Sequence, residues 1–369
     1  MHVKKEKLFA ILRLQKVKFI GDVLAKKLIS AVGDVESIFK ENPNTLQKVH
    51  GIGSYAIKHL LDESKLYWVE RELQHIEDHH IEYSYFLDDD YPENLQHCTD
   101  APILFFKDGN IDFDNKRIIA IVGTRNMSHY GRDFCNQLIE NLAVYDPIIV
   151  SGLAYGVDIC AHKAAIKNHL QTIAVLAHGF SRVYPKAHKK YIHQLHKKGG
   201  CITEFWYEDT PQREHFLKRN RIVAGLSAAT IIIESAHKGG ALVTADIANS
   251  YNRDVFAVPG KVNDLTSIGC NELIRRHNAC LLQSPKNIVE MLNWDIKETP
   301  NKKIQKPLFA KLNEKEQKVY DFLIKNKAQV LDTIAIECAI PIYQSASVLL
   351  ELELKGVVKS LPGKMFELS

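Results

Sequence analysis

A rhythm that begins near residue 117 constrains this chain more than any other feature. Short β-branched runs at Ile118–Val122, Ile148–Val150, Thr172–Leu176, Thr230–Ile233 and Val255–Val258 alternate with helical stretches such as Gly131–Leu142, Val157–Asn168 and Ala241–Asn252. The runs are continuously apolar, which suits strands buried on both faces. Strand, loop, helix and strand again predicts βαβ units, hence an α/β core with a parallel sheet.

Each run ends in small and polar residues. Val122 leads into Gly123-Thr124-Arg125, and Val150 into Ser151-Gly152-Leu153-Ala154-Tyr155-Gly156-Val157-Asp158. Ile233 leads into Glu234-Ser235 and then Lys238-Gly239-Gly240-Ala241-Leu242-Val243-Thr244, and Val258 into Pro259-Gly260-Lys261. In an open parallel sheet such loops share one edge, beyond the carboxyl ends of the strands, where ligands bind. Glycine lets backbone N–H groups approach an anion, and a following helix N-terminus adds positive potential. Ser151 and Thr244 carry hydroxyl donors, and the Arg125 guanidinium can clamp a phosphate with two parallel bonds. Four such loops on one edge, with basic residues among them, favour an anion site over turns that need glycine for packing alone.

Two further basic clusters follow: Tyr184-Pro185-Lys186-Ala187-His188-Lys189-Lys190, and Lys218-Arg219-Asn220-Arg221, read as opening a helix toward Gly225. Arg219 and Arg221 stand beside Ile222-Val223-Ala224, so internal salt bridging competes with ligand contact. Neither a Gly-x-x-x-x-Gly-Lys-Ser/Thr loop nor a clean Gly-x-Gly-x-x-Gly is present, which argues against ATP hydrolysis and NAD binding. Asp158 and Glu234 are the acidic candidates near the loops, and each can equally cap a helix or hold an arginine. The His178-Gly179 pair has no nucleophile at a readable spacing, so a structural role is expected. A non-enzymatic binder without cofactor or metal is the reading. A nucleotide-processing enzyme on the same edge is the alternative.

The flanks differ in pattern. Residues 1–82 read as helical, 83–116 as an irregular lead-in to the core, which runs to 294, 295–311 as a polar, lysine- and proline-bearing linker, and 312–369 as a separate unit. The turn Val49-His50-Gly51-Ile52-Gly53-Ser54 looks like the hairpin of a helix-hairpin-helix, and Val17-Lys18-Phe19-Ile20-Gly21-Asp22 like an earlier copy with Asp22 in the way. Residues 312–369 read as a winged helix: a helix from an asparagine cap at Asn313, a second over 330–339, a third over 341–355, then a hairpin over 357–367. The third helix, in the recognition position, carries Glu351 and Glu353 and little positive charge, which favours protein contact or weak DNA contact over promoter reading.

At 369 residues the chain needs two or three domains. Its net charge of +4 permits nucleic acid without demanding it. Seven scattered cysteines form no Cys-x-x-Cys pair, and Cys160 and Cys280 are expected to be small reduced core residues. No signal peptide and no segment approaching the roughly 20 apolar residues of a membrane span is seen, so a cytoplasmic protein is expected.

The core motifs together resemble the DNA-processing protein A (DprA/Smf) family. They are Ile-Val-Gly-Thr-Arg (121–125) with Tyr130-Gly131, Ser-Gly-Leu-Ala-Tyr-Gly-Val-Asp (151–158) with Ala161-His162, and Tyr184-Pro185. Next come Phe216 with Arg-Asn-Arg-Ile-Val-Ala-Gly-Leu-Ser (219–227), Gly-Gly-Ala-Leu-Val-Thr-Ala (239–245), Arg-Asp-Val-Phe-Ala-Val-Pro-Gly (253–260), and Gly269-Cys270-Asn271 with Leu273-Ile274. The resemblance implies an extended Rossmann-like fold, single-stranded DNA binding, protection of incoming DNA, loading of the RecA recombinase in natural transformation, and a homodimer. By position, DNA contact would fall to Arg125, Ser151, Gly152, Lys186, Arg219, Arg221, Lys238 and Lys261, with Gly123, Thr124 and Thr244 completing the site. The segment around Leu273 and Ile274 would contribute to a dimer face, unless it is an ordinary helix covering the sheet. Gly239 replaces a common serine, and Asn278 stands near a usual glycine, where asparagine can take a left-handed turn.

Overall fold

The structure, a computed structural model, describes residues 2–115, 117–294, 312–361 and 363–368. The linker expected over 295–311 lies outside the described residues. The chain divides into two compact units, Met1–Ile288 and Val289–Ser369.

The first unit is built on a nine-stranded sheet in the order β1-β2-β6-β5-β4-β3-β7-β8-β9. In chain order the strands are β1 (Glu82–Tyr85), β2 (Leu104–Asn110), β3 (Ile118–Val122), β4 (Ile148–Ser151), β5 (Thr172–Val175), β6 (Gly199–Thr203), β7 (Ala229–Ile232), β8 (Asp254–Ala257) and β9 (Cys280–Leu281). From β6 through β9 every neighbouring pair is parallel. The chain winds outward from β3 through β4 and β5 to β6, then returns along helix Arg213–Leu226 to place β7 on the other side of β3. The strand order therefore reverses between β3 and β7, which is where an open α/β sheet opens its ligand crevice.

The five strands expected from the apolar runs all form, within about a residue of their expected bounds. Ile118, Ala120 and Val122 on one face pack with Ile222, Val223, Ala245 and Ala248 from the helices that cover it. The reading of 83–116 as irregular is corrected. This stretch supplies β1 and β2, an antiparallel edge with Glu82 opposite Lys107, Tyr85 opposite Leu104, and β2 paired onto β6. β1 is four residues long, and the two strands are separated by the Asp88-Asp89-Asp90-Tyr91-Pro92 turn and Ala101-Pro102, so turn chemistry hid the sheet. β6 was missed because Gly199-Gly200 leave only Cys201-Ile202-Thr203 to signal a strand. The left-handed residue near 278 is His277, with φ +58°, and not Asn278.

The N-terminal helices include His2–Gln15, Asp22–Val32, Ser54–Leu60 and Leu66–Asp78. Both hairpin turns put glycine at the N-cap of the following helix, Gly21 and Gly53, each with extended backbone and no side-chain cap. This group shares one hydrophobic cluster with the sheet edge, in which Leu12, Leu28 and Leu73 pack with Tyr85, Leu104 and Trp206. Asp22 is turned away from the hairpin surface. Its carboxylate accepts from Ile103 N at 3.0 Å and from Arg221 Nη2 at 3.2 Å. Nearby, Glu72 accepts from Tyr207 N at 2.8 Å, and burial pushes its carboxyl up to about 7.

The second unit contains helices Glu314–Asn326, Leu331–Glu337 and Ile342–Leu354 and the antiparallel pair Val358–Leu361 with Met365–Leu368, the winged-helix order. Asn313 and Glu316 form a capping box, and Lys355 Nζ sits 2.6 Å from the buried Glu316 carboxylate. Among the described residues no single helix is long and apolar enough to cross a membrane.

Candidate nucleic-acid interface

The loops after β3 and β7 meet at the switch point. Thr124 N donates to Glu234 O at 2.8 Å, which continues the β3–β7 pairing into the loops. The Glu234 carboxylate accepts from Ser128 N at 2.9 Å and from the Ser128 hydroxyl in a short bond, and Ser128 caps helix His129–Leu142. Glu234 is therefore a tie that fixes the Arg125 loop.

The loop after β4 supports the same segment. Gly156 has φ +75°, and a Cβ there would come within 2.1 Å of Thr124 O. Only glycine allows the two loops to touch at this point, and Val157 N donates to Thr124 O at 3.1 Å. Ser151 is fully buried and its hydroxyl donates to Ile121 O at 2.6 Å, so it latches β4 to β3 and does not reach outward.

These contacts frame a cleft of about 480 Å³. Seven of the eleven residues expected from sequence line it: Gly123, Thr124, Arg125, Gly152, Arg219, Lys238 and Thr244. Arg125 is exposed, with its guanidinium 5.5 Å from the centre of the Phe216 ring, which in turn meets Tyr184 edge-on at 5.8 Å. Lys238 is exposed just before helix Gly240–Ser250, whose first amides have no side-chain cap. The Thr244 hydroxyl turns back onto Gly240 O at 3.1 Å.

Arg219 forms the floor of the cleft. It is 5 % exposed, donates to Val175 O at 2.5 Å, and is attracted by the buried Asp158. Burial lowers the guanidinium and raises the carboxyl, and the attraction between them opposes both shifts. Gly152 permits this packing, because a Cβ there would meet Arg219 Nη1 at 2.0 Å. The four residues Lys218-Arg219-Asn220-Arg221 do not open their helix. It begins at Arg213, after Pro211-Gln212, which turns Arg219 and Arg221 into mid-helix core positions.

The other four expected residues lie elsewhere. Ser151 is the latch already described. Arg221 faces the N-terminal helices, paired with Glu204 at 2.5 Å and Asp22 at 3.2 Å and donating to Asp100 O. Lys186 and Lys261 are exposed but outside the cleft lining. Arg213 was missed from sequence. It is exposed at the first position of its helix and lines the cleft, and the signal was a lone arginine after a proline, too common to single out. His178 is buried, bonded to Gly179 O and accepting from Tyr184 N at 3.2 Å, which shapes the 178–184 loop. Cys280 is exposed, against the expectation of a core residue, because its strand is a two-residue edge.

The cleft thus presents Arg125, Arg213, Arg219 and Lys238 against one carboxylate, the buried Asp158. Cations, backbone N–H groups and a neighbouring ring are the groups that suit an anion with an aromatic face beside it. This defines the class: a Rossmann-like, doubly wound α/β protein with a cation-lined cleft at its switch point. The family model for DNA recombination-mediator protein A matches residues 82–293, that for the DprA winged-helix domain residues 305–364, and that for a SAM-like helix-hairpin-helix tandem residues 11–65. The chain belongs to the DNA-processing protein A (DprA/Smf) family.

Protein Smf of Escherichia coli is 31% identical over 330 residues, covering 88% of this chain and 85% of that protein. DNA processing protein DprA of Streptococcus pneumoniae is 38% identical over 203 residues, covering 55% of this chain and 71% of that protein. The X-ray structure of the Streptococcus pneumoniae protein superposes with a TM-score of 0.65 at 30% identity, over 76% of this chain and 96% of that one. A structure describing the single-stranded DNA binding mode of DNA processing protein A from Helicobacter pylori superposes with a TM-score of 0.53 at 29% identity, over 58% of this chain and 98% of that one.

Proposed function

We propose that this chain binds single-stranded DNA at the switch-point cleft, and that it protects incoming DNA and loads a RecA-type recombinase during transformation, acting as a homodimer. The observation that carries the reading is the convergence of Arg125, Arg213, Arg219 and Lys238 on the glycine loops at one sheet edge. Phosphates are positioned by such cations and N–H donors, which carry no sequence preference. The Phe216 and Tyr184 rings beside Arg125 offer stacking faces that an unpaired base can use and a duplex base cannot. The single-stranded DNA binding mode of the Helicobacter pylori relative supports the same choice. A grip is favoured over acid–base cleavage because the cleft lining offers one carboxylate, Asp158, and that one is buried and accepts from Ala154 N at 3.3 Å.

The test is a competition. A labelled oligothymidine is bound to the full chain and challenged with unlabelled single-stranded or duplex DNA at equal phosphate. Displacement by single strands at much lower concentration is expected; equal displacement by both would overturn the choice of substrate. Incubation with nucleoside monophosphates separates the enzyme alternative, because release of a free base would contradict a pure binder. Duplex reading by residues 312–369 is disfavoured, since helix Ile342–Leu354 carries Glu351 and Glu353 and no lysine or arginine.

A further inference from the structure

A second cleft, of about 670 Å³, adjoins the first. Arg125 lines both. The loop after β4 divides them, with Gly152 and Ala154 lining the first and Tyr155 and Gly156 the second. Helices His129–Leu142 and Val157–Lys167 pack together, and each supplies one further cation to the second cleft, Arg132 and Lys163. Both are exposed. Among the described residues that line this cleft none is acidic, so the cations stand there without a carboxylate. Tyr155 is exposed as well, and its ring is braced edge-on by the buried His188 at 4.9 Å, which is itself hydrogen-bonded to Leu153 O at 2.8 Å.

We propose that the second cleft is a further subsite for the same single strand: the strand crosses Arg125, Arg132 and Lys163 take its next phosphates, and a base stacks on Tyr155. This inference rests on the reading that the first cleft holds single-stranded DNA. Continuity supports it, because two clefts that share one guanidinium suit a ligand longer than either, with anions at intervals, which is a description of a nucleic-acid backbone. Charge supports it, because cations without a neighbouring carboxylate are free to replace the counterions of a polyanion. The ring supports it, because a side chain already braced by a buried neighbour loses little freedom on stacking, and every base has a face to offer. Exposed lysines and tyrosines are ordinarily a solvated surface; here they converge with Arg125 in a single concavity.

The test is strand length. The full chain is titrated across salt with labelled oligothymidines of about 4 and about 12 nucleotides, within the span that single-strand sites cover. Wild type is compared with Lys238→Ala, in the first cleft only, and with the double variant Arg132→Ala/Lys163→Ala, in the second only. With the longer strand the double variant is expected to bind more weakly and to lose about 1.4 from the slope of log K against log salt, two contacts at about 0.7 each. With the shorter strand, which the first cleft holds alone, it is expected to match wild type. Lys238→Ala is expected to weaken both lengths. A double variant that matches wild type on the longer strand while Lys238→Ala is weakened would overturn the second subsite and leave the first standing. A Lys238→Ala chain that matches wild type at both lengths would instead overturn the reading beneath it.

A second readout places the base. Irradiation of the complex with 5-iododeoxyuridine at one end of the longer strand links that base to an adjoining ring, and trypsin then separates peptide 133–163, which holds Tyr155, from peptide 214–218, which holds Phe216. The label is expected on Tyr155 from one end of the strand and on Phe216 from the other. Phe216 marked from both ends, with Tyr155 unmarked, would contradict the path.

Discussion

Adding a methyl group at Gly152 tests whether the cleft floor is organised by Arg219. The new Cβ would stand 2.0 Å from Arg219 Nη1, so reaching ordinary contact at 3.4 Å requires a displacement of roughly 1.4 Å. That movement breaks the 2.5 Å bond to Val175 O in a guanidinium that is 5 % exposed. A buried charged donor left unsatisfied costs about 1.5–3 kcal/mol, and weakening its attraction to Asp158 adds to this. Gly152→Ala is therefore expected to destabilise the first unit by about 2–4 kcal/mol. At about 2 °C per kcal/mol for a unit of this size, the melting temperature falls by roughly 4–8 °C. Gly240→Ala is the control, since a Cβ there meets nothing within 4 Å although Gly240 lines the same cleft. Thermal unfolding followed by circular dichroism reads both. A Gly152→Ala chain that melts with the wild type would refute the packing argument, as would a Gly240→Ala chain that melts as low as Gly152→Ala.

Other consequences follow from the same contacts. Arg221→Met leaves Glu204 and Asp22 without their buried partner and is expected to cost about 3–5 kcal/mol in urea unfolding. Its oligothymidine affinity below the transition should match the wild type; a selective loss of affinity would make Arg221 a DNA contact after all. Glu72 is held at about 7, above its unfolded value, so its contribution is favourable below pH 4.5 and is lost as the pH rises through 7. Glu72→Gln should remove that loss, on the order of 2–3 kcal/mol, and raise the melting temperature at pH 8 relative to wild type with little change at pH 4.5. A parallel pH profile in the variant would show that Glu72 is not the group responsible. Asn313→Ala removes an N-cap that accepts from Lys315 N and Glu316 N and is expected to cost the second unit about 1 kcal/mol, read as faster amide exchange in helix Glu314–Asn326.

The sheet core was legible because its strands are buried on both faces, and a run such as Ile118–Val122 has little alternative use. The glycine loops were legible for a related reason: Gly152 and Gly156 stand where another residue's Cβ would strike Arg219 or Thr124. What sequence hid depends on distant partners. β1 and β2 are strands because β6 offers an edge, and no local pattern in 83–116 announces that. Arg219 and Arg221 are two residues apart on one helix, yet one looks into the cleft and the other toward Asp22, 199 residues away in the chain. Arg213 enters the cleft only because its helix starts about one and a half turns earlier than the basic cluster suggested.

The central claim is that exposed cations of the switch-point cleft hold DNA phosphates. It is tested most directly by the salt dependence of oligothymidine binding to wild type, Arg125→Ala and Lys238→Ala. Each lost phosphate contact on a single strand should lower the slope of log K against log salt by about 0.7 and weaken binding uniformly across base composition. The expected result is a shallower slope and weaker binding in both variants with unchanged melting temperatures. Affinities and slopes indistinguishable from wild type in both variants would contradict the claim and move the DNA off this cleft.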